Sequence, residues 1–211
     1  MWFEYAACFS ICLVFLYLPG IVALLPLRLN LITLMAVSPL LGAVCYGVLP
    51  IAYGLYDIPC TTVSLLGPAM CAAILLCFVS LIATRHRPDK RQDIEIGDVA
   101  IVFSTLAVSV LLVVVFFTKN LDTAGSIFQA FDNGHHLNKI ATFISTGNYS
   151  SIGFTEYATS LGSVPSPYLG TEGFYPSAWH GLVAMCCSAV GVNVAIGVNA
   201  VNTALIAVVF P

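Results

Sequence analysis

Five long apolar runs constrain this chain more than any other feature of its sequence. A helix needs roughly twenty apolar residues to cross the hydrocarbon core of a bilayer, and each run is that long. Apolar residues make up 59% of the 211 residues and charged residues only 8%, with a mean hydropathy of +0.97, which excludes an ordinary soluble domain. We predict an all-α integral membrane helical bundle of about five transmembrane helices, near Phe3–Leu27, Leu31–Tyr56, Thr61–Thr84, Val99–Thr118 and Trp179–Val209.

These runs and the polar segments between them divide the chain into five parts. Residues 1–84 hold three transmembrane helices, 85–98 a basic loop, 99–118 the fourth helix, 119–178 a long polar segment and 179–211 the fifth helix. The chain ends at the foot of that helix, so we expect it to be a truncated portion of a larger bundle.

The basic residues predict how the chain is oriented. Arg28 follows the first run, and four basic residues lie in 85–98. Because short cytoplasmic loops are rich in Lys and Arg, both loops should be cytoplasmic. The N-terminus and segment 119–178 should then lie outside the cytoplasmic membrane of the cell.

Other residue types exclude several classes of protein. The formal charge is −3 and the basic residues form no stripe, so we expect no nucleic-acid partner. The eight cysteines lie almost entirely within the apolar runs and form no Cys-x-x-Cys pair, which argues against a disulfide framework or a cysteine metal site. Prolines, including Pro39, Pro50, Pro59 and Pro68, predict kinks or breaks in or beside the second and third helices.

A polar island in segment 119–178 carries the candidate chemistry. From Asp132 to Ile144 the spacing predicts an interfacial amphipathic helix with a polar face opposite an apolar stripe. The stripe consists of Leu137, Ile140, Ala141 and Ile144. The polar face holds Asp132, His135, His136 and Lys139. We expect the stripe to contact lipid or the spans, with Asp132 and His136 facing a cavity. Glu172, Tyr175 and His180 follow near the start of the last run and are candidates for the same cavity.

The residue types at this island allow more than one chemistry. A carboxylate one turn from an imidazole supports general acid–base catalysis, with Asp132, His136 and His180 as candidate catalytic residues. A divalent cation held by Asp132 and His136 is a second option, although two ligands do not define a site. Asp132 could also act only as an N-cap.

Short motifs give the chain a resemblance to a known class of enzyme. Asp132-Asn-Gly-His-His136, Thr146-Gly147 and Tyr175-Pro-x-x-Trp179-His180 resemble the first outer loop of the GT-C superfamily of membrane glycosyltransferases. With Leu18-Pro-Gly20 and Ser38-Pro-Leu40, they also resemble a bacterial multi-span membrane protein family of unassigned function similar to GT-C enzymes.

The resemblance implies transfer of a sugar from a polyprenyl-phosphate donor to an extracytoplasmic acceptor. Asp132 would activate the acceptor, while His136 and His180 would assist proton transfer or contact the donor phosphate. The remaining candidates, His135, Lys139, Glu172 and Tyr175, would bind substrate, Lys139 through the phosphate. The expected partners are the bilayer and the lipid-linked sugar donor.

The sequence also fits two other classes of membrane protein, a transporter and a non-catalytic assembly subunit. A transporter would use a proline-broken second span as an unwound binding site. A non-catalytic membrane assembly subunit would pack against a partner subunit, or against missing C-terminal spans, through a face of small and amide residues in the last run. The residues of that face are Gly191, Asn193, Gly197, Asn199 and Asn202.

Overall fold

The computed structural model describes residues 1–85, 94–127, 131–152, 156–159, 161–165 and 174–211, except the side chain of residue 131. These residues form seven α-helices and one antiparallel β-hairpin. The helices are α1 Trp2–Leu24, α2 Leu31–Leu55, α3 Thr62–Thr84, α4 Ile96–Leu112, α5 Phe131–Thr146, α6 Ala178–Val190 and α7 Val194–Ala204. The hairpin pairs β1 Glu156–Thr159 with β2 Gly162–Pro165.

The predicted class, a helical membrane bundle, is confirmed. Four helical segments are long and apolar enough to cross a membrane, and α6 with α7 is a fifth if the two count as one span. The segments are Trp2–Leu27, Leu31–Leu55, Thr62–Thr84 and Ile96–Asn120. Short 3-10 and π turns at Leu25–Leu27, Val113–Phe117 and Thr118–Asn120 extend the first and last of them, and a π turn at Leu205–Val209 extends α7.

The last apolar run differs from the straight span that the sequence predicts. It consists of α6 and α7, which meet at an angle of 116°. Gly191 ends α6 with φ of 76°, and the side chain of Asn193 starts α7 by accepting a hydrogen bond from the Ile196 amide at 3.0 Å. Because glycine adopts positive φ readily and Asn is a strong N-cap, these two residues explain the bend.

The prolines do not break the helices that contain them. The second helix continues through Pro39 and Pro50, and α3 continues through Pro68. Pro59 lies ahead of α3, whose first turn is closed by a reciprocal capping box between Thr61 and Ser64. Of the predicted kinks or breaks, breaks at Pro39, Pro50 and Pro68 therefore do not occur, because packed neighbouring helices accommodate prolines within membrane helices. Kinks at these prolines stay a prediction.

The backbones of α1 and α2 touch at two glycines. A Cβ at Gly20 would lie 2.5 Å from Ser38 Cα, and one at Gly42 would lie 2.9 Å from Leu16 Cα. Pro19 and Pro39, next to these positions, are buried. The Leu-Pro-Gly and Ser-Pro-Leu motifs are thus explained by close helix packing, for which small residues are required.

The core is centred on α1, α6 and α7. The middle of α6, from Gly181 to Cys187, is buried throughout and packs against buried residues of α1 such as Cys8 and Phe15. By contrast, α4 has no buried residue within Ile96–Leu112. Since α6 is held on several sides, its first turn is a fixed base for the polar residues at its start.

Candidate functional site

The helix α5 is anchored to the bundle at its C-terminal end. The Gly147 carbonyl, one residue beyond α5, accepts a 2.7 Å hydrogen bond from the Cys60 amide in the α2–α3 connection. Phe143 is fully buried and stacks on Tyr149 with ring centroids 5.4 Å apart. The Thr142 hydroxyl accepts a 3.0 Å hydrogen bond from the Ala158 amide of β1. These contacts fix both the position and the rotation of α5.

Asp132, His136 and His180 form a continuous chain of polar contacts. The carboxylate Oδ2 of Asp132 lies 3.3 Å from His136 Nε2, one turn further along α5. His136 Nδ1 lies 2.8 Å from His180 Nε2 on the first turn of α6. Asp132 is exposed, His136 is half-buried and His180 is buried. The chain therefore leads from the surface of the protein into its interior.

The carboxylate end of this chain fixes its tautomers. An ionised carboxylate only accepts hydrogen bonds, so His136 must carry its proton on Nε2 to donate to Asp132. With its proton on Nε2, the His136 ring accepts at Nδ1, which requires His180 to donate from Nε2. His180 Nδ1 is left as a buried acceptor with no hydrogen-bond partner among the described residues. The two contacts engage both ring nitrogens of His136 and so hold its ring in one orientation.

A second polar cluster lies beside this chain and is more deeply buried. His135 contacts the Tyr157 hydroxyl through Nδ1, and its ring lies 5.4 Å from that of Tyr175. The ammonium of Lys139 lies 3.8 Å from the centroid of the Tyr175 ring, as in a cation–π contact. Tyr175 also contacts His180, with ring centroids 5.4 Å apart. The two clusters are thus in direct contact.

Burial changes the proton affinity of two groups in this second cluster. It lowers the pKa of Lys139 to about 8, because removal from water disfavours the ammonium. Burial also lowers the pKa of His135, and the neighbouring His136 and Lys139 lower it further, against a smaller opposing effect of Asp132. His135 is therefore neutral at pH 7.

Serine hydroxyls join the end of the long segment to the start of α6. Ser151 Oγ and Ser177 Oγ are 2.7 Å apart and both buried, and Ser177 also donates to the Tyr149 carbonyl at 3.2 Å. The Tyr175 amide donates to the Ser151 carbonyl at 2.9 Å. These bonds hold the residues before His180 against the chain that follows α5, and so set the distance between α5 and α6.

A cavity of about 290 Å³ opens beside His136. Trp179 forms part of its wall, and its indole Nε1 donates a 3.0 Å hydrogen bond to Asn202 Oδ1. The ring of Trp179 stands edge-on to that of His136, with centroids 5.7 Å apart. The lining residues are Ile127, Asn133, His136, Leu137, Trp179, Val198 and Asn202. An aromatic ring, amides and an imidazole thus face one space.

Residues 13–211 match the model of a family of unknown function, DUF6541. The chain belongs to this family. No curated protein and no solved structure matches the chain. The matched region includes α2 through α7 and every side chain of the two polar clusters, so the site described above lies within the DUF6541 region.

The structure brings six of the seven predicted site residues of this DUF6541 chain together. Asp132, His136 and His180 form the contact chain, and His135, Lys139 and Tyr175 form the adjoining cluster. Glu172 lies outside the described residues. Asp132 is the second residue of α5 rather than the residue before it, so it does not occupy the N-cap position.

The polar face of α5 differs from the predicted one. The helix itself is confirmed, but His135 and Lys139 of the predicted polar face are buried in protein. In the predicted apolar stripe, Ile140 is buried, while Ala141 and Ile144 are exposed and stay predicted lipid contacts. Lys139 has no exposed surface and does not line the cavity. The hairpin and the start of α6 cover that face, and the sequence pattern of α5 alone contains no sign of this covering.

The cavity beside His136 is lined by residues that were not among the predicted site residues. Asn133 and Trp179 are the sequence neighbours of the predicted site residues Asp132 and His180. Their positions in the sequence could therefore have indicated that they belong to the site. Asn202 was assigned to a helix-packing face, and its bond to Trp179 shows a role within the chain. Among the described residues, no group of three or more His, Cys, Asp or Glu side chains is placed to hold a metal ion.

The sequence features that suggested a transporter or a membrane assembly subunit are explained by the fold of the chain itself. The second helix is continuous, so it lacks the unwound segment expected of a transporter site. Asn199 donates to the carbonyls of Ala124 and Ser126 at 3.0 and 2.8 Å, and Gly197 packs against Cys187. These amide and glycine positions therefore stabilise the fold of this chain.

Proposed function

We propose that this protein is a membrane transferase of the GT-C type that moves a sugar from a polyprenyl-phosphate donor to an extracytoplasmic acceptor. The observation that carries the proposal is the contact chain from Asp132 through His136 to His180 beside a cavity with an aromatic wall. Such a chain has the parts of a general base: an exposed carboxylate and an imidazole that positions it.

Asp132 would act as the base toward the acceptor. As the acceptor oxygen bonds to the anomeric carbon, its proton passes to the Asp132 carboxylate. The bond between the anomeric carbon and the phosphate oxygen breaks, and the polyprenyl phosphate leaves with the electron pair. His136 would stabilise and orient the carboxylate, while the buried His180 would be a positioning residue for His136.

The cavity suits a sugar ring in size and in chemistry. Ligand pockets usually measure roughly 300–1,000 Å³, so a cavity of about 290 Å³ accommodates a group as small as one sugar unit. The indole of Trp179 offers a flat apolar surface for the C–H face of a sugar. The amides of Asn133 and Asn202 supply hydrogen-bonding groups for its hydroxyls.

The proposal places the protein in the cell membrane with the N-terminus and segment 119–178 outside the cytoplasm. Two features support this. The basic residues Arg28 and Arg85 both follow the C-terminal ends of their helices, α1 and α3, on the side away from the N-terminus. A lipid-linked donor also requires a site at the membrane surface. In this orientation α5 and the cavity would meet the outer leaflet.

The test is transfer of labelled sugar from polyprenyl-phosphate donors to cell-envelope acceptors by membranes that carry the full-length protein. At matched expression, Asp132→Asn should lower the rate about a hundredfold or more, because loss of a general base costs about 10²–10⁴. Glu156→Gln, which alters an exposed carboxylate on β1, is the matched control and should leave the rate unchanged. Equal loss in both variants, or no transfer by the wild type, would contradict the proposal.

Transport is the second candidate, and one observation favours it. The 116° bend between α6 and α7 is a helix discontinuity, and such breaks form binding sites in transporters. Transport of a solute into proteoliposomes, abolished by a change at the bend but unaffected by Asp132→Asn, would favour this candidate over the transferase.

A further inference from the structure

The cavity beside His136 has a polar and an apolar side chain next to each other on one face of α7. Val198 and Asn202 both line this cavity. Residues four apart on a helix are neighbours, with Cβ atoms about 5–6 Å apart. A sugar bound in the cavity therefore meets an amide and an isopropyl group side by side.

The orientation of the Asn202 amide follows from its contact with Trp179. Indole Nε1–H is only a donor, so the atom that it contacts at 3.0 Å must be the carbonyl oxygen Oδ1 of Asn202. The amide nitrogen Nδ2 carries two N–H donors, and no described residue accepts a hydrogen bond from it. With Oδ1 engaged by the indole, the group that Asn202 has available for a ligand is an N–H donor, which needs an acceptor.

Contacts on either side of Val198 fix the rotation of α7. A Cβ at Gly197 would collide with the thiol of Cys187, so α7 lies directly against α6 at this position. Asn199 donates to the Ser126 carbonyl at 2.8 Å, in the segment that continues into the cavity wall. Because α7 is held on both sides, Val198 and the amide one turn further along keep their places in the cavity.

We propose that the bound sugar is an N-acetylated amino sugar, with its acetamido carbonyl accepting from Asn202 Nδ2 and its acetyl methyl against Val198. This inference rests on the proposed transferase function. The acetamido group matches the wall because one carbon atom carries both its acceptor oxygen and its methyl group. A hydroxyl could also accept from Nδ2, but its own O–H would lose water beside Val198 without gaining a partner there, which is costly.

The rest of the wall favours the same ligand. Ile127 and Leu137 add further apolar surface to that of Val198 and of the Trp179 ring. A sugar with a methyl group covers more of this surface than a sugar with hydroxyls alone, and removal of apolar surface from water favours binding. Of the two amides in the cavity, that of Asn202 would then meet the acetamido group.

The test measures binding of free sugars to the purified full chain in a detergent without a sugar headgroup. The chain has two tryptophans, so replacing the exposed Trp2 by Trp2→Phe leaves Trp179 as the single indole, whose fluorescence is the readout. N-Acetylglucosamine and N-acetylgalactosamine should bind about tenfold or more tightly than glucose and galactose, because a single extra group that fits an apolar pocket is worth about tenfold or more.

Two variants in the Trp2→Phe background assign this preference to its residues. Asn202→Asp keeps an acceptor for the Trp179 indole but removes the Nδ2 donors, so the preference for N-acetylated sugars should be lost. Val198→Thr keeps the shape of the side chain but places a hydroxyl at the wall, so the preference should fall. Asn138→Asp is the control, because Asn138 is exposed on α5 and does not line the cavity, and it should keep the full preference.

Two results would overturn the proposal. One is equal binding of N-acetylated and parent sugars by the Trp2→Phe protein, a comparison that needs no change in the cavity. The other is an unchanged preference in Asn202→Asp, which would remove the Nδ2 donors from sugar recognition.

Transfer assays with labelled donors separate this inference from the transferase proposal. Transfer of a hexose but of no N-acetylhexosamine would contradict the choice of sugar and leave the transferase in place. Selective binding of N-acetylated sugars without transfer from any donor would support the preference of the cavity and contradict the transferase.

Discussion

The close contact between α1 and α2 gives a prediction whose size follows from the structure. In Gly42→Ala the new Cβ would lie 2.9 Å from both the Cα and the carbonyl carbon of Leu16, and closer still to its carbonyl oxygen. An ordinary contact requires about 3.5–4.0 Å between carbon atoms. All three obstructing atoms belong to the backbone, so no side-chain rotation relieves the collision. The two helices must separate by roughly 0.5–1 Å.

This separation sets the expected loss of stability. A gap of that size forfeits a quarter to a half of each van der Waals contact across the interface, and overpacking typically costs about 1–3 kcal/mol. The better helix propensity of Ala returns up to about 1 kcal/mol. We expect Gly42→Ala to lower the free energy of unfolding by about 1–2 kcal/mol.

Gly67→Ala is the matched control, because among the described residues no atom of another element lies within 4 Å of a Cβ at Gly67 in α3. It should be neutral or slightly stabilising. The assay is unfolding of the purified protein from mild detergent micelles by increasing dodecyl sulfate, followed by tryptophan fluorescence. If Gly42→Ala and Gly67→Ala unfold at the same point, the described approach of α1 to α2 is incorrect.

Three further predictions concern the site and its surroundings. His135 has a lowered pKa when folded, so its contribution to stability is complete above about pH 6.5 and is lost as the pH falls from 6.5 toward the folded pKa. The melting temperature of the wild type should fall over that interval, and His135→Asn should show a smaller fall; identical slopes would contradict this. Leu161→Cys, on the exposed tip of the hairpin, should react with a membrane-impermeant maleimide in intact cells, whereas Arg28→Cys should react only after permeabilisation, and the reverse pattern would invert the proposed orientation. Trp179→Phe removes the hydrogen bond to Asn202 and should raise the KM for the sugar donor more than it lowers kcat, whereas an effect on kcat alone would remove Trp179 from substrate binding.

Length and composition were sufficient to predict the class of this fold, because a helix that crosses lipid needs a long apolar run. The same signal could not predict the bend in the last run. It depends on Gly191 and Asn193 acting together as a helix end and a helix start, within a segment whose composition remains apolar. At Pro39 the sequence predicted a kink or a break, but α2 continues through this residue. The effect of a proline depends on the helices that pack around it and not on the sequence of its own helix alone.

The candidate site shows the same division. The spacing from Asp132 to His136 predicted their contact within one helix, since residues four apart share a face. His180 lies 44 positions beyond His136, so their contact depends on the packing of α5 against α6. The burial of Lys139 depends likewise on Tyr175, from a separate segment. Periodicity within a helix contains no information about which element covers it.

The contact chain as the basis of activity is tested by the rate of sugar transfer by the double variant Asp132→Asn/His136→Gln, compared with the two single variants and the wild type. Residues that act as one catalytic unit show strongly non-additive losses. If His136 acts by positioning the Asp132 carboxylate, the double variant should be no slower than Asp132→Asn alone. A double variant slowed by the product of the two single losses would show that the two residues act independently, and would contradict the contact chain as the basis of activity.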